Sequence, residues 1–174
     1  MMILSRTFGG PFIEFVHADE PMDGGCVWAR IDREATFFEM SLELLAAFVQ
    51  ISEQPAVFEE YDDCHFMNQP RPQPEPPADT SLDFIGPDGQ LQPIGPLEPS
   101  PDQTLQALQN NLMVWHKAIM ATEPARVADR LADFYDTATT PAAIKADMLE
   151  TLDYLARETR QASDQDGVII VVGV

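Results

Sequence analysis

Cysteine and positive charge are what this chain has least of. Only Cys26 and Cys64 occur in 174 residues, far apart and in no CxxC or zinc-type spacing, which excludes a disulfide scaffold and a structural zinc site. Both are expected to be buried thiols of a protein in a reducing cytoplasm. Against 29 Asp and Glu stand 10 Lys and Arg, a formal charge of −19. Such a surface repels phosphate backbones and anionic lipid, so nucleic-acid backbone binding and membrane-surface binding are not expected. No stretch approaches the ~20 apolar residues of a membrane span, and the opening "MMILSRTFGGPF" lacks the apolar run of a secretory leader. A glycine-rich phosphate loop, GxSxG, HExxH and a dinucleotide fingerprint are all missing, and no cofactor is expected.

Apolar residues, by contrast, are ample at 45%, including ten Phe and two Trp, enough to build a core despite the charge. Residues 1–68 hold 13 acids and 3 bases, residues 69–101 hold 5 and 1, and residues 102–174 hold 11 and 6, so the excess is steepest before the chain's midpoint. These three stretches read as an acidic α+β part, a proline-rich extended arm and a helical part with a final strand.

In the first stretch, "PFIEFVHAD" alternates as a strand does, and "CVWARID" and "ATFFEM" follow a turn-rich break, predicting a small antiparallel sheet. "SLELLAAFVQISEQ" predicts a helix: Ser41 is placed to cap it, Leu44, Leu45, Phe48 and Ile51 share one stripe, and Pro55 stops it. "AVFEEYDDCHFM" returns as a further strand broken by its acidic middle.

Ten of the 15 prolines fall within residues 69–101. Proline fixes φ and removes an amide donor, so "PRPQPEPP" is expected as polyproline II and "DFIGPDGQLQPIGPL" as a chain of turns. Leu82, Phe84, Ile85, Leu91, Ile94 and Leu97 are its apolar anchors and the candidate partner-binding residues. An extended segment stiffened by proline loses little entropy on docking, so the arm is expected to be ordered against this body or another protein.

Beyond the arm, three helices are predicted over about 101–121, 124–137 and 141–162, forming a small bundle. Ser100, Pro101 and Gln103 read as a capping box for the first, with Leu105, Leu108, Leu112, Trp115 and Ile119 inward. The second begins near Thr122 with Val127, Leu131 and Phe134 on one face. The third begins at Thr140 and Pro141, with Ile144, Met148, Leu152 and Leu155 inward. "DGVIIVVGV" closes the chain as a strand buried on both faces, expected to join the N-terminal sheet.

One stretch resembles a site by residue type: "YDDCHF", with Asp62, Asp63, Cys64 and His65, to which His17 could be added as base or metal ligand. Neighbours on a strand point to opposite faces, so Cys64 and His65 do not form a nucleophile and base pair there. A small metal-dependent or cysteine enzyme is therefore the second reading. A nucleic-acid mimic is the third, on the carboxylates Asp129, Asp133 and Asp136 and the pair Asp147 and Glu150, although Arg126 and Arg130 interrupt the first row. The leading expectation is a non-enzymatic interaction protein, such as an immunity-type inhibitor, a dedicated chaperone or an assembly subunit. It would engage a partner protein with a basic surface through the arm and its own acidic surface.

Overall fold

A computed structural model describes residues 12–19, 36–58, 64–69, 83–85, 91–93, 104–131, 135 and 138–173. The chain divides into two units, Met1–Pro70 with Asp102–Val174, and Arg71–Pro101.

The first unit is α+β. Its sheet contains β1 (Phe12–Ala18), β2 (Thr36–Ser41), β3 (Cys64–Phe66) and the strand Val168–Gly173, called β6 in chain order. Their spatial order is β2-β1-β6-β3, with every pairing antiparallel. The last strand thus lies inside the sheet, between β1 and β3. Its β-branched run suits that place: Ile169 and Val171 enter the main core, while Val168, Ile170 and Val172 join Val16 in a second cluster on the other face. All five are buried, as expected for a two-sided strand.

Between β1 and β2 the register slips, Phe15 facing Phe38 while Val16 faces Thr36. Phe37 is the extra residue of this bulge. A bulge re-aims a side chain that strict alternation would send to the opposite face. Phe37 and Phe38 therefore both lie near Phe15, at ring separations of 6.2 and 6.0 Å.

Helix α1 (Leu42–Ser52) starts where the sequence places it: Ser41 Oγ accepts the Leu44 amide at 3.2 Å. Leu44, Leu45 and Phe48 are buried and Ile51 is half-buried. Glu53, in the left-handed region at φ 56°, ends the helix before Pro55.

Helix α2 (Leu105–Ala121) begins later than the capping box at Ser100 suggests. Thr104 is the cap, its Oγ1 accepting the Ala107 amide at 3.0 Å, and the Leu105 amide donates to Met67 O at 2.8 Å. That bridge to the end of β3 holds Thr104 extended, so the helix cannot run through it. The inward stripe is as expected, with Leu105, Leu108, Leu112, Trp115 and Ile119 all buried.

The second helix is also shorter than its sequence suggests. Thr122 closes α2 instead of opening the next helix, its hydroxyl donating to Ala118 O at 2.8 Å. Helix α3 is Pro124–Ala128 only, followed by tight turns that bury Leu131; the expected position of Phe134 lies outside the described residues. Helix α4 (Pro141–Asp164) is capped by Thr140 with proline in its first turn, as read from the sequence. Lys145 of α4 donates to Met120 O and Thr122 O, both at 2.8 Å, which satisfies carbonyls at the end of α2.

Three residues, Gln165, Asp166 and Gly167, carry α4 into β6. Asp166 adopts φ 53°, and the Gly167 and Asp166 amides donate to Ala162 O and Ser163 O, the pattern of a Schellman end. Asn68 secures it from outside: its Nδ2 donates to Ser163 O and Asp166 Oδ1.

In the second unit the described residues form an antiparallel hairpin, β4 (Asp83–Ile85) with β5 (Leu91–Pro93). This corrects the expectation of turns alone. The intervening "GPDGQ" has the composition of a chain reversal, and a two-stranded sheet has only edge strands, where Pro93 needs no amide to donate. The packing of Leu82, Phe84, Ile85, Leu91, Ile94 and Leu97 lies outside the described residues, as does "CVWARID".

Candidate docking face on helix α2

The residues singled out by type do not converge. Cys64 sits level with Val171 and Phe15 on the helix-covered face, and His65 sits level with Ile170 on the other face. The strand argument against a Cys64–His65 pair holds in the fold. His17 shares the helix-covered face, but β6 separates it from β3. Two strand spacings and a two-residue offset put its Cα roughly 12 Å from that of Cys64. His17 and His65 lie on opposite faces and cannot ligate one ion. Asp62 and Asp63 lie outside the described residues. Among the described residues no three His, Cys, Asp or Glu side chains come together as metal ligands, and no helix is long and apolar enough to cross a membrane.

His17 instead pins β1 to α4. Its ring stacks on Phe37 at 4.3 Å, and its Nε2 lies 3.2 Å from Glu158 Oε2. Arg157 stands 3.7 Å from the other carboxylate oxygen and 5.0 Å over the Tyr154 ring, while the Tyr154 hydroxyl donates to Phe37 O at 3.3 Å. Burial, followed by the Glu158 charge, pushes the Tyr154 hydroxyl up. The bulge makes this cluster, because it turns Phe37 toward His17.

The acidic rows are likewise mixed. Asp129 is exposed, whereas Asp133 and Asp136 lie outside the described residues. On α4 the exposed face carries Glu150 and Asp153, then Arg157 and Arg160. Asp147 is half-buried; burial first, then the charge of Glu150, raises its carboxyl above the ordinary range.

Helix α2 differs from all of these. Its 17 residues contain no Asp or Glu, in a chain with 29 of them, and only one Lys. Met113, Val114 and Met120 stand exposed on its outer side at 49%, 39% and 55% of their surface. Lys117 is the exposed charge there, and Gln106 and Asn110 add uncharged polarity. Beside this stripe, a groove of about 330 Å³ runs between α2 and α4, floored by Leu112, Leu152 and Ala156. His116 Nε2 and Asp153 Oδ1, 3.3 Å apart, bridge the two helices along it.

This face is rigidly backed. Trp115 stacks on Phe48 at 5.3 Å and donates from Nε1 to Gln54 O at 3.2 Å. One turn earlier, buried Asn111 donates to Pro55 O at 3.0 Å and accepts the Val57 amide at 3.3 Å. The inner side of α2 therefore holds residues 54–57 while its outer side faces solvent. Reading the helix for its apolar inward stripe overlooked the outer one. Its signal was legible as a 20-residue gap between acids, from Asp102 to Glu123.

Compared with known proteins, the chain matches no family model, no curated protein and no solved structure.

Proposed function

We propose that this chain is a non-enzymatic protein-interaction module that docks a protein on the outer face of α2 and the adjoining α2–α4 groove. The observation that carries this reading is the acid-free helix itself, with three large apolar side chains exposed on the surface of a −19 chain. Interface cores are depleted of charge and enriched in methionine, and contiguous apolar exposure on an otherwise charged body marks a contact surface. The acids elsewhere keep the protein dispersed and suit its other faces to a partner bearing a basic surface. In the same reading α2, α3 and α4 act as a three-helix bundle that presents the face, and the protein works in the cytoplasm.

The test is site-specific photo-crosslinking in cells, with the photoreactive residue at Met120 and, as control, at exposed Ala143. Adducts at Met120 that are absent at Ala143, re-formed from purified components and lost with Met113→Glu combined with Met120→Glu, support the reading. Equal adducts at both positions, or binding indifferent to the two glutamates, overturns it.

A further inference from the structure

The outer face of α2 is laid out on a two-fold pattern. Gln106, Asn110, Met113, Lys117 and Met120 recur at alternating spacings of four and three, with Ala107, Val114 and Ala121 beside them at intervals of seven. Such spacing keeps a seam on one side of a helix and suits it to another helix laid alongside. We infer that the occupant of this face is a second copy of this chain, α2 against α2 in antiparallel, with the two-fold axis passing between Met113 and Val114. This rests on the reading of that face as a docking surface.

Turning α2 end for end about that point makes the seam meet itself with complementary groups. Asn110 of each copy comes level with Lys117 of the other, so an amide oxygen faces an ammonium twice. Met113 of each copy meets Val114 of the other at the centre. Toward the ends, the Gln106 stem meets Ala121 and Ala107 meets Met120, large against small, which lets the two helices interdigitate. The two Lys117 ammonium groups stay apart by seven residues of rise, about 10 Å.

The same rotation acts on α4. The His116–Asp153 contact fixes which residues of α4 lie beside which residues of α2. Carried through the two-fold, Arg157 and Arg160 of one copy come level with Asp153 and Glu150 of the other. The order acid, acid, base, base along the exposed face of α4 is the order that an antiparallel two-fold pairs with opposite sign. The groove beside Met113 offers about 330 Å³ in which an adaptable methionine can seat.

Charge selects this face over others. Two chains of −19 repel through a surface of unpaired acids, whereas α2 brings none into contact and Glu150 and Asp153 of α4 each meet an arginine of the other copy. A 17-residue helix is about 25 Å long, so the contact is at the small end of specific interfaces, and a weak, concentration-dependent dimer is expected.

Sedimentation equilibrium of the full chain from about 1 to 500 μM tests this. A monomer–dimer equilibrium is expected that tightens as salt rises, because screening weakens the mutual repulsion of the two bodies while the apolar seam is unaffected. A complex with a basic protein would loosen instead. Val114→Glu should weaken the dimer at least ten-fold with an unchanged far-ultraviolet spectrum. Asn110→Glu should tighten it about three-fold although it adds charge to an acidic protein, since each new carboxylate faces a lysine. A monomer throughout the range, a dimer indifferent to Val114→Glu, or a dimer loosened by Asn110→Glu each overturns the inference. In the first case, crosslinks from Met120 to a different protein would leave the docking reading standing, so the two failures are distinguishable.

Discussion

Asn111 offers the sharpest test of how α2 is held. Its carboxamide makes two hydrogen bonds to residues 55 and 57, donating to Pro55 O and accepting the Val57 amide. Each such bond contributes about 1 kcal/mol net, and truncation also strands the half-buried Val57 amide, so Asn111→Ala should cost about 2 to 3 kcal/mol. Asn111→Asp separates donor from acceptor. A carboxylate still accepts from Val57 but sets an anion against Pro55 O, in a place where the native side chain is only 8% exposed. Burial and that repulsion raise the carboxyl's folded pKa above its unfolded value. Its contribution is then fully present below the unfolded pKa, where the protonated acid can donate to Pro55 O, and is lost as pH rises through the folded pKa. The aspartate variant should therefore approach the parent near pH 4 and fall below the alanine variant at pH 7. Urea unfolding followed by tryptophan emission measures this, because Trp115 sits one turn away and bonds to the same segment at Gln54 O. An alanine cost under about 0.5 kcal/mol, or an aspartate variant parallel to the parent from pH 4 to 8, refutes the clamp.

Other expectations concern single groups. Thr104→Ala removes the cap of α2 and should cost about 1 kcal/mol by the same urea assay; a neutral effect would mean the helix starts elsewhere. Asp147, raised by burial and by Glu150, adds stability that is complete below its ordinary value of 3.8 and lost as pH rises through the raised value. Asp147→Asn should therefore melt higher than the parent at pH 7 and show a shallower rise in Tm on acidification; a lower Tm at pH 7 with an unchanged slope would sink this. Lys145→Met withdraws the donor from two terminal carbonyls of α2 and should cost about 1 kcal/mol, read as faster amide exchange in the last turn of that helix. Cys64→Ser should leave docking in the crosslinking assay within a small factor, since the thiol is buried in the core away from the α2 face.

Sequence reasoning succeeded where one residue type has one physical solution. Ser41 with Pro55, and Thr140 with Pro141, delimit helices because few other arrangements satisfy their amides and fixed φ. The β-branched run at 168–172 fits only a strand covered on both faces. It failed where a distant contact overrides a local preference. Ser100 and Pro101 form a respectable start signal, but Met67 O captures the Leu105 amide and Thr104 takes the cap. The five-residue α3 and the bulge at Phe37 are likewise tertiary outcomes, since the alternation around Phe37 and Phe38 reads as an ordinary strand. The candidate site divides in the same way. His17, Cys64 and His65 drew notice by chemistry, yet the sheet sorts them onto separate rows and faces. The proposed docking stripe drew none, because it is defined by the acids it lacks.

The central place of β6 has a consequence in time. Ala18 pairs with Val168, 150 positions later, so the sheet cannot close until nearly all of the described chain has been made. At about 5 to 20 residues per second, β1 and β2 wait roughly 8 to 30 s on the ribosome for their neighbour. Through that interval the inner edge of β1 offers unpaired amides beside Phe15 and Val16, the kind of template on which nascent chains stick to one another. The steepest acid excess of the sequence, 13 acids against 3 bases over residues 1–68, lies in the segment that must wait. Repulsion between neighbouring nascent chains is strongest during the seconds when an open strand edge is most exposed to them.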